Sequence, residues 1–170
     1  MATEEQVVAE LAALGISYLS RQTLTPADCV RPPVQLLADL MQQPSARVRE
    51  AVIALLLSHP EYAVFVPTAL RDLTPGQQLT MKIFYTAAVW LQQEHMQRLM
   101  PFVGSRWCLL PDMFSVEFGL QTGVLPTERL AWLGRMQRRK TRVAANWTGT
   151  YENVARKLVR SWEMQAQWNR

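Results

Sequence analysis

Hydrophobic residues are most concentrated in one short segment, Ser45–Ser58. Every residue from Ala51 to Leu57 is apolar, whereas the charged side chains stand near the start of the segment. Pro44 cannot continue a preceding helix, and Ser45 is a favourable N-cap because its hydroxyl can accept a hydrogen bond from the first turn. A helix that is apolar on every side must be covered by other elements. The pattern therefore predicts a buried central helix over Ser45–Ser58.

Apolar residues also recur every three or four positions over much of the remaining chain. Capping boxes, N-terminal prolines and glycines suggest where these helices begin and end. The predicted helices run from about Glu4 to Ser20, for a turn or two from Thr25, over Val34–Gln42, from Ser58 through Val66, from Thr74 to Met100 with Pro101 as the stop, briefly from Pro111, from Pro126 to about Arg142, and from a Thr150 cap to the C-terminus.

Strand signals are weak, because the chain has no Asn-Gly hairpin and no sustained alternation of apolar and polar residues. We therefore expect an all-α fold, a compact single-domain bundle of seven or eight helices. A length of 170 residues and a hydrophobic content of 49% fit one ordered domain over residues 1–170.

Composition also bears on location. No apolar run approaches the roughly 20 residues of a membrane span, and the acidic N-terminus lacks the basic region of a signal peptide. We expect a cytoplasmic protein. Cys29 and Cys108 lie far apart in unrelated contexts. Two buried free thiols are the favoured interpretation, and a single disulfide is the alternative.

The net charge of +4 is distributed unevenly along the chain. Residues 1–125 carry 8 Lys/Arg and 11 Asp/Glu, a net −3, whereas residues 126–170 carry 10 and 3, a net +7. Such asymmetry indicates an acidic partner, either a protein or a nucleic acid. The C-terminal quarter is therefore the region in which we expect function to lie.

Within that quarter, Arg135, Arg138 and Arg142 recur at i, i+3 and i+7 and would form one basic stripe on a helix. Trp132 and Met136 fall on roughly the opposite side, so the helix could pack inward while its guanidinium groups bind phosphate or carboxylate. The alternative is a solvated helix end whose cations interact favourably with the helix dipole. The sequence favours neither.

The last predicted helix is also basic, although its sequence offers local ion pairs. Glu152 precedes Arg156 by four residues and Glu163 follows Arg160 by three, so we expect these charges to be partly paired. Trp168 lies close to the end of the chain and would fit a partner-binding surface if it is exposed. The predicted partner-binding residues are Arg135, Arg138, Arg139, Lys140, Arg142, Arg156, Arg160 and Trp168.

Catalytic and metal-binding motifs are missing from the sequence. His59, His95 and the two cysteines do not form the closely spaced pairs of a structural zinc site. No nucleophile elbow or glycine-rich phosphate loop occurs, and neither histidine has an arginine four to six residues upstream, as helical ribonucleases do. We expect no enzyme activity, no metal and no cofactor, with His59 as a local hydrogen-bonding residue and His95 solvated.

Two stretches resemble known families. Residues 44–52, Pro-Ser-Ala-Arg-Val-Arg-Glu-Ala-Val, resemble the second helix of a HEAT-type repeat, a likeness that extends over residues 34–58. This resemblance implies a HEAT-like helix pair at the centre of the all-α bundle. Residues 84–92 followed by 109–114 are similar to small bacterial helical proteins that accompany nucleotidyltransferases, some in toxin–antitoxin-like pairs. This resemblance implies a non-enzymatic, antitoxin-like subunit whose partner is another protein such as a nucleotidyltransferase. The alternative is a nucleic-acid-binding module that uses the same basic face.

Overall fold

A computed structural model describes residues 2–20, 30–120 and 124–170 of the chain. In these ranges the secondary structure is helical and no strand occurs, so the predicted all-α fold is confirmed. The α-helices are α1 (Glu4–Ala13), α2 (Pro33–Gln42), α3 (Ala46–Ser58), α4 (Val66–Ala69), α5 (Pro75–Glu94), α6 (Met96–Val103), α7 (Pro126–Thr141) and α8 (Trp147–Trp168). Short 3-10 helices cover Pro60–Phe65, Leu70–Asp72 and Gly104–Arg106.

Helix α3 is the centre of the core, as the hydrophobic pattern predicts. All residues from Ala51 to Leu57 are fully buried, because α2, α5 and α8 pack around the helix. Its N-terminus differs from the prediction, since the side chain of Ser45 makes no capping hydrogen bond. Arg47 instead donates to the carbonyls of Tyr18 and Leu19, and Arg49 donates to the carbonyls of Gln43 and Pro44. These arginines therefore fix the preceding connections against the start of α3.

Helix α5 lies against α3 and has the predicted Thr74–Gln77 capping box. The prediction of one helix reaching Met100 is wrong, because α5 ends at Glu94 and α6 begins at Met96 after a break at His95. The break redirects the chain so that Leu99 of α6 is buried. Pro101, predicted to stop the helix, lies inside α6.

Several predicted helix boundaries also need correction. Helix α1 ends at Ala13 and not Ser20, because Gly15 adopts a φ of 90° and the amide of Ile16 closes the helix end on the carbonyl of Leu11. The predicted turn or two from Thr25 lies outside the described residues. After α3, the hydroxyl of Ser58 donates back to Ala54 and caps no new helix.

The segment after Pro111 forms turns, not the short helix that the sequence predicts. The carboxylate of Asp112 accepts hydrogen bonds from the amide and hydroxyl of Ser115, which holds a local turn. Gly119 has a φ of 72°, a conformation that interrupts a right-handed helix. Side-chain packing still anchors this segment, since Phe114 is buried edge-to-face against Tyr85 at a centroid distance of 5.4 Å.

Helix α7 packs on α5 and α8, and it crosses α8 at Gly134. Tyr151 of α8 donates a buried hydrogen bond to Gln137 of α7. Helix α8 begins four residues earlier than predicted, because Asn146 and not Thr150 caps it by accepting from the amide of Gly149 at 3.0 Å. Helices α7 and α8 together carry the basic quarter of the chain.

Among the helices described, none is by itself both long and apolar enough to cross a membrane. Helix α3 and the segment Pro60–Asp72 reach that length and composition as a pair, but they are bent by 116°.

Candidate partner-binding surface

Helix α7 presents its arginines to solvent while its opposite side is buried. Leu133 and Met136 lie in the core, and Arg135 and Arg138 are exposed. Arg142 is exposed as well, but it is not a member of a continuous helical stripe. The helix ends at Thr141, and Arg142 caps it in the left-handed conformation with a φ of 56°. Its side chain therefore leaves the helix in a direction that i+7 spacing does not predict.

The cations of this region form what we call the basic surface. It consists of the exposed Lys and Arg residues at the end of α7 and on the outer side of α8: Arg135, Arg138, Arg139, Lys140, Arg142, Arg156, Lys157 and Arg160. Within the described ranges, none of these cations has a carboxylate oxygen within 4.0 Å. Two of them still act on acids at longer range. The hydrogen bond with His95 lowers the pKa of Glu152 and the charge of Arg156 adds to this effect, whereas burial raises the pKa of Glu50 and the charge of Lys157 opposes that rise.

The local pairing predicted for α8 is wrong. Glu152 contacts His95, with 3.3 Å between Glu152 Oε2 and His95 Nε2. Glu163 contacts Arg98, with 3.3 Å between Glu163 Oε1 and Arg98 Nη2. Both acids therefore pair with side chains at or just before the start of α6. Neither Arg156 nor Arg160 forms an ion pair with an acid of α8, although the charge of Arg156 still acts on Glu152.

Arg135 and Arg138 line a shallow cleft of about 330 Å³ between α7 and the first turn of α8. Residues 144–148 form the other wall, which includes the Asn146 cap. The N-terminus of a helix carries a partial positive charge of about half an elementary charge. Two guanidinium groups and this dipole thus point to the same small volume, which favours an anionic group.

The end of α8 extends away from the helices that hold its beginning. Gln165 keeps one contact with the start of the chain, because its Nε2 donates to Ser17 Oγ at 3.0 Å. Trp162 is held by two contacts, since its Nε1 donates to the carbonyl of Gly15 at 3.0 Å and its ring packs on Phe102 at a centroid distance of 5.2 Å. Beyond it, Met164 and Trp168 are exposed at i and i+4, Trp168 by 85%. The thirteen residues from Arg156 to Trp168 span about 18 Å. Arg156, Arg160, Met164 and Trp168 recur at every fourth position and are all exposed, so the cations and the aromatic side chain form one elongated exposed face.

A second polar cluster lies where α5, α6 and α8 meet, and it joins Glu94, His95 and Glu152. Their side chains are about one-quarter exposed. The hydrogen bond with Glu152 raises the pKa of His95, and the same bond lowers the pKa of Glu152. Burial, aided by the neighbouring Glu152 carboxylate, raises the pKa of Glu94. His95 is therefore hydrogen-bonded to Glu152, and the prediction that it is simply solvated is wrong.

The remaining candidate metal ligands of the sequence do not join this cluster within the described part of the chain. His59 is buried, with Nδ1 at 2.9 Å from Glu61 Oε1 and Nε2 at 2.8 Å from the carbonyl of Leu14, which fits its predicted local role. Cys108 is free and exposed, which contradicts the prediction of a buried thiol. Partial burial of the Cys108 thiol raises its pKa, and the negative charge of Glu61 adds to this effect. Cys29 lies outside the described residues.

Comparison of the chain with protein-family models, curated proteins and solved structures gives no match.

Proposed function

We propose that this chain is a non-enzymatic helical interaction protein whose basic surface binds an acidic protein. The observation that carries the proposal is the lack of ion pairs: eight cations at the end of α7 and on α8 face solvent, and none lies within 4.0 Å of a carboxylate oxygen among the described residues. Exposed cations contribute little to folding, about 0–1 kcal/mol for a surface pair. A binding role accounts for their accumulation better than a stabilising role does.

A protein partner is favoured by the apolar part of the same face. Trp168 and Met164 are exposed on α8 beyond Arg156 and Arg160. Aromatic residues and methionine are enriched at protein interfaces, where they are enclosed by a polar rim. The resemblance of residues 84–92 and 109–114 to helical proteins that accompany nucleotidyltransferases suggests a partner of that class.

A charge-reversal variant tests this function. Arg135→Glu, Arg138→Glu and Arg142→Glu combined in one chain would be compared with the native chain and with Arg71→Glu, a change to an exposed arginine outside the basic surface. Each immobilised chain would be exposed to a lysate of its native cells, and retained proteins would be identified by mass spectrometry. We expect the native chain and Arg71→Glu to retain a common acidic protein that the triple variant loses.

Circular dichroism and urea unfolding of the triple variant should match those of the native chain, because all three residues are exposed and unpaired. Loss of folding with unchanged retention of the partner would contradict the proposal. Trp168→Ala provides a second variant: it should weaken retention without altering stability, because its ring makes little contact with the protein.

A nucleic-acid ligand is the second candidate, and the cleft of Arg135 and Arg138 beside the α8 N-terminus favours it, because such sites suit phosphate. Binding of a duplex DNA oligonucleotide would be followed by fluorescence anisotropy at increasing salt. Each phosphate contact contributes about 0.9 to the log–log slope with duplex DNA. A steep slope that the triple variant reduces would favour nucleic acid, whereas negligible DNA binding would favour a protein partner.

A further inference from the structure

Three potential metal ligands meet at the junction of α5, α6 and α8. Glu94 is the last residue of α5, His95 is the residue between α5 and α6, and Glu152 lies in the second turn of α8. His95 Nε2 is 3.3 Å from Glu152 Oε2 and 3.9 Å from Glu94 Oε2. One ligand atom from each residue lies within 4.8 Å of the other two.

From this geometry we propose that Glu94, His95 and Glu152 bind one divalent transition-metal ion of the zinc class. Zinc bonds to nitrogen and oxygen are about 2.0–2.2 Å long, which places tetrahedral ligands about 3.4 Å apart. The distances from His95 to the two carboxylates bracket this value closely. The glutamates are joined to their helices by flexible side chains, so a small rotation brings the carboxylates onto one ion.

The mixture of one imidazole and two carboxylates determines the class of metal. Calcium and magnesium prefer ligand sets made of oxygen alone, whereas imidazole nitrogen suits zinc and its neighbours in the first transition series. The two carboxylates supply the negative charge that a divalent ion needs. The guanidinium groups of Arg98 and Arg156 lie nearby and oppose the binding of a cation, and the pairing of Arg98 with Glu163 reduces the effect of the first.

The surroundings provide both rigidity and an open coordination position. His95 is held because its amide donates to Leu91 at 2.9 Å and α6 follows at once. Glu152 follows the fully buried Tyr151. A cavity of about 160 Å³ adjoins His95 and Glu152, and it has room for several waters at about 30 Å³ each. A water can therefore complete a four-coordinate site, as in zinc sites with three protein ligands.

This proposal is independent of the basic surface and needs no partner protein. The full chain would be freed of metal with EDTA, dialysed and titrated with zinc chloride by isothermal titration calorimetry. We expect saturable binding of one zinc ion and a zinc-dependent rise in the melting temperature. His95→Ala and Glu152→Gln should each weaken zinc binding by more than about 100-fold, because even loss of an outer-shell partner costs about 10–100-fold.

Two control variants separate this site from other binding. Cys108→Ser removes an exposed thiol, and Glu128→Gln removes an exposed carboxylate of α7, a helix that contributes no residue to the cluster. Both should bind zinc as the native chain does. The absence of saturable zinc binding to the native chain, or binding that His95→Ala retains unchanged, would overturn the proposal.

X-ray absorption of the zinc-loaded native chain gives a result that does not depend on how the variants fold. A first shell of nitrogen and oxygen at about 2.0–2.2 Å, with the outer scattering of one imidazole, is expected. A shell that contains sulfur, or one without imidazole scattering, would show that zinc binds elsewhere and would overturn the assignment.

Discussion

The crossing of α7 and α8 is held close by the absence of a side chain at Gly134. A Cβ atom at this position would lie 2.6 Å from Thr148 Oγ1 and 3.0 Å from the backbone nitrogen of Thr148. Thr148 is in the first turn of α8 and its hydroxyl faces the carbonyl of Leu130 at 3.4 Å, so it cannot move aside freely. Gly134→Ala should therefore push the two helices apart.

The magnitude follows from two opposing effects. Overpacking of a close contact costs about 1–3 kcal/mol, whereas alanine is favoured over glycine inside a helix by about 1 kcal/mol. We expect Gly134→Ala to lower the free energy of unfolding by roughly 0–2 kcal/mol. Gly76→Ala is the matched control, because a Cβ there meets nothing within 4 Å. It should raise the free energy of unfolding by about 0.4–1 kcal/mol.

Urea unfolding of both variants, followed by circular dichroism, measures the difference between them. Adding Thr148→Ala to Gly134→Ala should recover part of the loss, since it removes the 2.6 Å contact but leaves the backbone contact. A coupling of about 0.5 kcal/mol or more would show that the two positions touch. If Gly134→Ala stabilises the protein as much as Gly76→Ala does, the close crossing does not exist.

Two further predictions concern the core. Leu55→Ala should lower the free energy of unfolding by about 2–5 kcal/mol, because Leu55 is fully buried in α3. Leu109→Ala is the control, since this side chain is 62% exposed and its loss should change the free energy of unfolding by no more than about 0.5 kcal/mol. Urea unfolding of both variants would show whether α3 is central. Arg31→Met should lower the free energy of unfolding by about 3–5 kcal/mol, because Arg31 pairs with the buried carboxylates of Glu10 and Asp39. Chemical unfolding measures this loss, and a value below about 1 kcal/mol would mean that water reaches both acids.

The parts of the fold that the sequence predicts well are those fixed by local pattern. The burial of Ala51–Leu57, the Thr74–Gln77 capping box and the extent of α2 all follow from residue spacing and from side chains that act within one turn. The break at His95 does not, because no glycine or proline marks it. It is supported by distant contacts, including the Gln92 side chain that bonds to both Cys108 and Leu110.

Local sequence pattern is also sufficient to predict that the partner-binding residues of α7 are exposed. Arg135 and Arg138 lie opposite apolar residues of their own helix, so amphipathic spacing is sufficient. The cluster of Glu94, His95 and Glu152 gives a weaker signal, an adjacent acid and histidine with the third member 57 residues away. Spacing rules for metal ligands cannot detect a site whose parts are brought together by the packing of α8 against α5 and α6.

The charge of the basic surface depends on that same packing. Three acids lie among residues 126–170, and sequence spacing assigns two of them, Glu152 and Glu163, to arginines of their own helix. An i, i+4 pair on an exposed helix contributes only about 0.2–0.5 kcal/mol, so a partner from another helix, partly buried in one pair and exposed in the other, is sufficient to replace it. His95 and Arg98, one turn apart at the start of α6, provide these partners. The contact that joins α6 to α8 therefore also leaves Arg156 and Arg160 without a direct ion pair, and the outer side of α8 becomes more positive than its sequence alone indicates.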